Sequence, residues 1–126
     1  MKPTIVIITE DVIFPHFFKI LLYRSMPDLN IVICNSYEEI GGKFENLNCQ
    51  LVVLDGGMSN VLSSEIIRQI RNISIITCPI WVFPEFHMSS FIDKLFNNGA
   101  TRILERPFDP YVLTNEMTTV LIQNSI

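Results

Sequence analysis

Four apolar runs in this chain end in residues able to do chemistry. Ile5-Val6-Ile7-Ile8 is followed by Thr9-Glu10-Asp11, and Leu51-Val52-Val53-Leu54 by Asp55-Gly56-Gly57. Ile80-Trp81-Val82-Phe83 leads to Pro84-Glu85, and Ile103-Leu104 to Glu105-Arg106-Pro107. Core packing explains carboxylates at such ends poorly. Brought together they repel, so they call for a bound cation, a shifted proton affinity or an internal guanidinium. Two chemistries are open to the cluster: a hard divalent cation on Glu10, Asp11 and Asp55, or a permanent ion pair between Asp55 and Arg106.

The other reactive side chains are less organised. His16 and His87 have no second ligand beside them and read as surface or helix-end residues. Cys34, Cys49 and Cys78 are odd in number and widely spaced, without the close pairs that hold zinc or form a redox dithiol, and read as buried thiols.

Positioning these residues falls to an alternation of strand-like and helical stretches. The nearly all-apolar runs at residues 4–9, 30–35, 50–54, 79–83 and 101–104 suit strands buried on both faces. Between them, residues 14–24, 37–45, 62–70, 89–98 and 110–122 carry helical spacing, with Asn97-Asn98-Gly99 as a stop and Asp109-Pro110 as a start. Five βα units imply an α/β fold, a parallel sheet with right-handed crossovers and helices on both faces. Sites in such folds lie outside the carboxyl ends of the strands, where the charged residues stand.

The length of 126 residues, 48% of them hydrophobic and 17% charged, suits a single domain with a large core, and no linker or low-complexity break interrupts it. A net charge of −4 and a pI near 5.0 argue against nucleic acid as a partner. The apolar runs are far shorter than the roughly 20 residues of a membrane span, and residues 1–4 lead into a strand without a signal-peptide pattern. A cytoplasmic protein without membrane contact is expected.

Asp55 closing its apolar run, the acids after residues 5–8, and the run from Gly99 to Asp109 together resemble the receiver domain of bacterial response regulators, the CheY-like group with a flavodoxin-like, doubly wound fold. Glu65-Ile66-Ile67-Arg68-Gln69-Ile70-Arg71 is similar to that family's third helix and Pro79-Ile80-Trp81-Val82-Phe83 to its fourth strand. The resemblance covers about residues 3–123. It implies a five-stranded sheet in the order 2-1-3-4-5, a cis Arg106-Pro107 bond, and Asp55 as the position that accepts a phosphoryl group from a kinase. It also implies a magnesium site at Asp55, an acid after the first strand and the backbone of Gly57.

Several family positions are altered. The acidic pair falls on Thr9 and Glu10, so one ligand acid is missing unless Asp11 supplies it. The strand-four hydroxyl position is Pro84, the switch aromatic is Ile103, and the lysine is Arg106, a wider cation suited to bidentate pairing. The expectation is therefore a degenerate receiver, not an enzyme, with weak or absent magnesium binding at Glu10, Asp11, Asp55 and Gly57, and with Arg106 against Asp55. The alternative is a working stand-alone response regulator phosphorylated on Asp55. A flavodoxin-like electron carrier fits less well, because Glu10 and Asp11 would repel a cofactor phosphate. The implied partners are proteins: a histidine kinase, a downstream signalling protein or a second copy of the chain. Phe14, Phe17, Phe18, Phe91 and Phe96 fall at helical spacing and are expected in or near the core. Phe86, Met88 and Tyr111 flank helix starts and, with Phe91, are expected to form an apolar interface flanked by Asp93, Lys94 and Arg102.

Overall fold

The structure is a computed structural model and describes residues 2–44, 47–58, 61–73 and 77–124. Strands β1 (Thr4–Ile8), β2 (Asn30–Cys34), β3 (Leu51–Asp55), β4 (Ile80–Phe83) and β5 (Arg102–Ile103) alternate with helices α1 (Ile13–Ser25), α2 (Glu39–Phe44), α3 (Ser63–Ile73), α4 (Ser89–Asn98) and α5 (Pro110–Gln123). All strand pairs are parallel, in the order β2-β1-β3-β4-β5. The Arg106-Pro107 peptide is cis. Glu45, at the expected end of the second helix, lies outside the described residues.

Successive strand side chains point to opposite faces, and both faces are covered, which is why the central strands read as unbroken apolar runs. Val6, Ile8, Val52, Leu54, Ile80 and Val82 face one core, closed by Ile40 and Phe44 of α2, Ile66 and Ile70 of α3, and Phe91 and Leu95 of α4. Ile5, Ile7, Leu51, Val53, Trp81 and Phe83 face the other, closed by Phe14, Phe18 and Leu22 of α1 and Leu113, Met117 and Leu121 of α5. The edges are less dry: the middle of β2 and both residues of β5 are half-buried. Among the described residues no helix is long and apolar enough to cross a membrane.

Three expectations change. Phe17 and Phe96 are exposed. Each lies beside a buried neighbour of the same helix, Phe18 or Leu95, and points away from the stripe that meets the sheet. Phe91, placed by helical spacing in the core and also within the exposed interface, is buried as the spacing expects, with Leu95 one turn further along α4 on the same face. Cys49 and Cys78, distant in sequence, touch at 3.2 Å between sulfurs, because they precede adjacent strands.

Candidate functional site

Asp55 ends β3, the central strand, and its side chain is 15% exposed. Both carboxylate oxygens have partners. Arg106 Nη2 donates to Oδ1 at 2.9 Å, and the hydroxyl of Thr9, a buried residue just past β1, donates to Oδ2 at 2.7 Å. Thr9 Oγ1 in turn accepts the backbone N–H of Asp11 at 3.0 Å. The carboxylate thus terminates a short relay of donors built from the first loop, in a setting where charge-assisted bonds are strong.

Aromatic rings hold the guanidinium in place. Arg106 lies over Phe83 at 4.4 Å from the ring centroid and over Phe14 at 5.2 Å. A planar cation stacks on such faces in a way an ammonium does not, so the rings and Asp55 together fix its position.

The loops on either side are tied together. Gly56 N–H donates to the Phe83 carbonyl at 2.7 Å. A Cβ on Gly56 would lie 2.5 Å from that oxygen and 2.8 Å from Glu85 N, so only glycine fits. Gly57 follows with φ of +92°, a left-handed conformation that also favours glycine. Beyond β4, the Glu85 carboxylate accepts from the backbone N–H of Ser63 at 2.8 Å and from the Ser63 hydroxyl. It thereby caps the start of α3 with a negative charge. The loop after β4 is clasped to the first turn of α3.

The expected convergence of several carboxylates does not form. Glu10 and Asp11 are exposed, and Asp11 Oδ1 accepts the N–H of Ile13 at 2.9 Å, satisfying a donor at the start of α1 instead of turning toward Asp55. Among the described residues no group of three or more His, Cys, Asp and Glu is placed to hold a metal. The donor set fits magnesium poorly: the Arg106 cation at Asp55 Oδ1 repels a second cation, and Asp11, which could supply another carboxylate, is turned to Ile13. Pro84 is buried and brings no donor. Ile103 is half-buried and packs against the core on the α2–α4 side.

Phe86, Met88 and Tyr111 are exposed at 45%, 62% and 64%. Phe86 stands edge-on to the buried Phe91, ring centroids 5.3 Å apart. Arg102, expected to flank these residues, pairs with Glu116 and lies over Trp81 at 4.6 Å. Thr9 and Glu85 stand at strand ends in the sequence, but only the structure gives them their partners, Asp55 and Ser63. Thr9 registers in the sequence only as the absence of an acid, and Glu85 only as an acid after a strand-end proline.

No family model matches the chain, and no curated protein does. Solved structures do match. A two-component response regulator from Clostridium difficile superposes with a TM-score of 0.82 at 23% identity, covering 97% of this chain and 98% of that one. A CheY-like response regulator receiver domain protein from Methanospirillum hungatei JF-1 gives 0.84 at 16% identity, covering 99% and 98%. The signal receiver domain of a signal transduction histidine kinase from Syntrophus aciditrophicus gives 0.79 at 14% identity, covering 96% and 91%. With its all-parallel sheet in the order β2-β1-β3-β4-β5, this chain has the fold of CheY-like response regulator receiver domains.

Proposed function

We propose that the chain is a receiver-type module of two-component, phosphorelay signalling that acts in the cytoplasm through protein contacts, without an efficient phosphorylation cycle and without enzymatic activity of its own. The observation that carries this reading is the double engagement of Asp55 by Arg106 and Thr9. Phosphoryl transfer to a carboxylate needs an oxygen free for in-line attack and a cation that neutralises the transferring oxygens. Here each carboxylate oxygen already accepts a hydrogen bond, Oδ1 from Arg106 and Oδ2 from Thr9, so whichever oxygen attacks must first weaken a charge-assisted contact. Pro84 gives no hydroxyl to an incoming phosphoryl group, and the Glu85–Ser63 clasp opposes movement of the loop that carries it. Magnesium binding at Glu10, Asp11, Asp55 and Gly57 is weak or absent in this reading.

The contact surface of this reading comprises Phe86, Met88 and Tyr111, with Phe91 supporting Phe86 from beneath. Its partner is a protein: a histidine kinase, a downstream signalling protein or a second copy of the chain. Acetyl phosphate with magnesium, followed by intact mass, tests the reading. No stable phosphoryl adduct is expected. An adduct on the wild-type chain that is missing from Asp55→Asn would instead establish a working response regulator.

A further inference from the structure

The pole of the sheet opposite Asp55 holds a second chemical centre. Cys49 and Cys78 stand 29 positions apart in sequence, just before the adjacent parallel strands β3 and β4, and their sulfurs are 3.2 Å apart. Arg71 at the end of α3 lies against the same segment. Its Nη1 donates to the Cys78 carbonyl at 2.8 Å and its Nη2 to the Gly99 carbonyl at 2.7 Å, which fixes a positive charge close to both sulfurs. Cys78 is half-buried, so the pair is within reach of a small solute, whereas Cys49 is nearly enclosed. Contact between sulfurs, a fixed cation and partial access are the conditions under which thiols react.

We propose that Cys49 and Cys78 are a reversible redox pair that a peroxide oxidises to an intramolecular disulfide. The inference is independent of the fate of Asp55. With the Cys78 thiol donating across the 3.2 Å contact, Cys49 is held below the ordinary thiol range and Cys78 above it, so in this proposal Cys49 is the nucleophile. Its thiolate attacks one peroxide oxygen, the O–O bond breaks, and hydroxide leaves to take up the displaced proton as water. Cys49 is then a sulfenic acid. The Cys78 sulfur attacks the Cys49 sulfur, the S–S bond forms, the S–O bond breaks, and the departing hydroxide carries off the Cys78 proton as a second water. Two thiols have been oxidised and one peroxide reduced. The sulfurs need to close by only about 1 Å to reach bonding distance, a movement within side-chain rotation. Cys34 is the internal contrast: burial pushes its thiol up to about 11, and it has no sulfur partner among the described residues.

Treating the full chain with a small excess of hydrogen peroxide, then counting thiols after denaturation and mapping peptides without reductant, tests the proposal. Three titratable thiols are expected to fall to one, with a mass loss of about 2 Da, a Cys49–Cys78 cross-linked peptide and full reversal by dithiothreitol. Cys34→Ser is expected to lose two thiols in the same way. Cys78→Ser is expected to form no cross-link and to leave Cys49 trappable as a sulfenic acid. The urea midpoint of the oxidised wild-type chain should rise above that of the reduced chain. Three thiols persisting in the wild type, a cross-link to Cys34, or oxygen addition without any cross-link would each overturn the proposal. The wild-type map needs no variant to fold.

Discussion

In the proposed reading, Arg106 decides what Asp55 can do. At 47% exposure its ion pair with Asp55 contributes modestly to stability, and Arg106→Ala is expected to cost about 1 kcal/mol in urea unfolding. In the proposed reading its chemical effect is larger, because the guanidinium, stacked on Phe83 and Phe14, stands against the carboxylate oxygen that a metal or phosphoryl group would approach. In that reading, replacing it with a slimmer cation and placing a hydroxyl just past β4 removes both obstacles. Arg106→Lys combined with Pro84→Thr is therefore expected to raise acetyl phosphate labelling at least tenfold over the wild-type chain, with intact mass as the readout. Labelling that stays at the wild-type level would place the block at Thr9, whose hydroxyl the double variant leaves on Oδ2.

Among the elements, α1 separates burial from mere apolarity. Phe17 and Phe18 are adjacent in sequence, yet the first is 54% exposed and the second 1%. Phe18 meets Phe14 edge-on at 5.1 Å and stacks on Phe108 at 5.9 Å, joining the first helix to the loop before α5. Phe18→Ala should cost about 3–5 kcal/mol, whereas Phe17→Ser should change stability by less than about 0.5 kcal/mol. Chemical denaturation of the two variants checks the contrast, and similar losses would mean that the outer face of α1 is buried in solution. The start of α5 follows the same local logic: Asp109 accepts from the N–H groups of Tyr111 and Val112 while Pro110 fills the first helical position.

For the whole molecule, the question is whether the Asp55 pole and the α4–α5 surface communicate. With Arg106 held by two rings, the loop after β4 clasped to α3 and Ile103 in place of a mobile aromatic, the surface around Phe86, Met88 and Tyr111 has a single shape in the proposed reading. Phe86→Ala or Tyr111→Ala should weaken self-association, or capture of the protein partner, by more than about 1 kcal/mol, while Asp55→Ala leaves it unchanged. Sedimentation of the chain, or titration of the partner, measures both. Loss of binding on Asp55→Ala with the aromatic variants unaffected would move the signal from the surface to the site.

Sequence by itself determined the alternation of five strands and five helices and the α/β class. Hydrophobic periodicity is a local property, and apolar runs such as Ile5 to Ile8 are legible wherever they stand. It also placed Asp55 and Arg106 at strand ends, because a charge closing an apolar run stands out without knowledge of its partners, while the strand order rested on resemblance. Tertiary structure alone decided the rest. The Thr9 hydroxyl meets Asp55 across 46 positions, Glu85 meets Ser63 across 22, and Cys49 meets Cys78 across 29. The first and third contacts are made by crossovers that bring parallel strands side by side, the second by the start of α3 lying beside the loop after β4, and no local pattern encodes which side chains then face each other. Phe17 and Phe91 follow the same rule: spacing marks them as helical and apolar, but only the rotation of each helix on the sheet sets one in solvent and the other in the core.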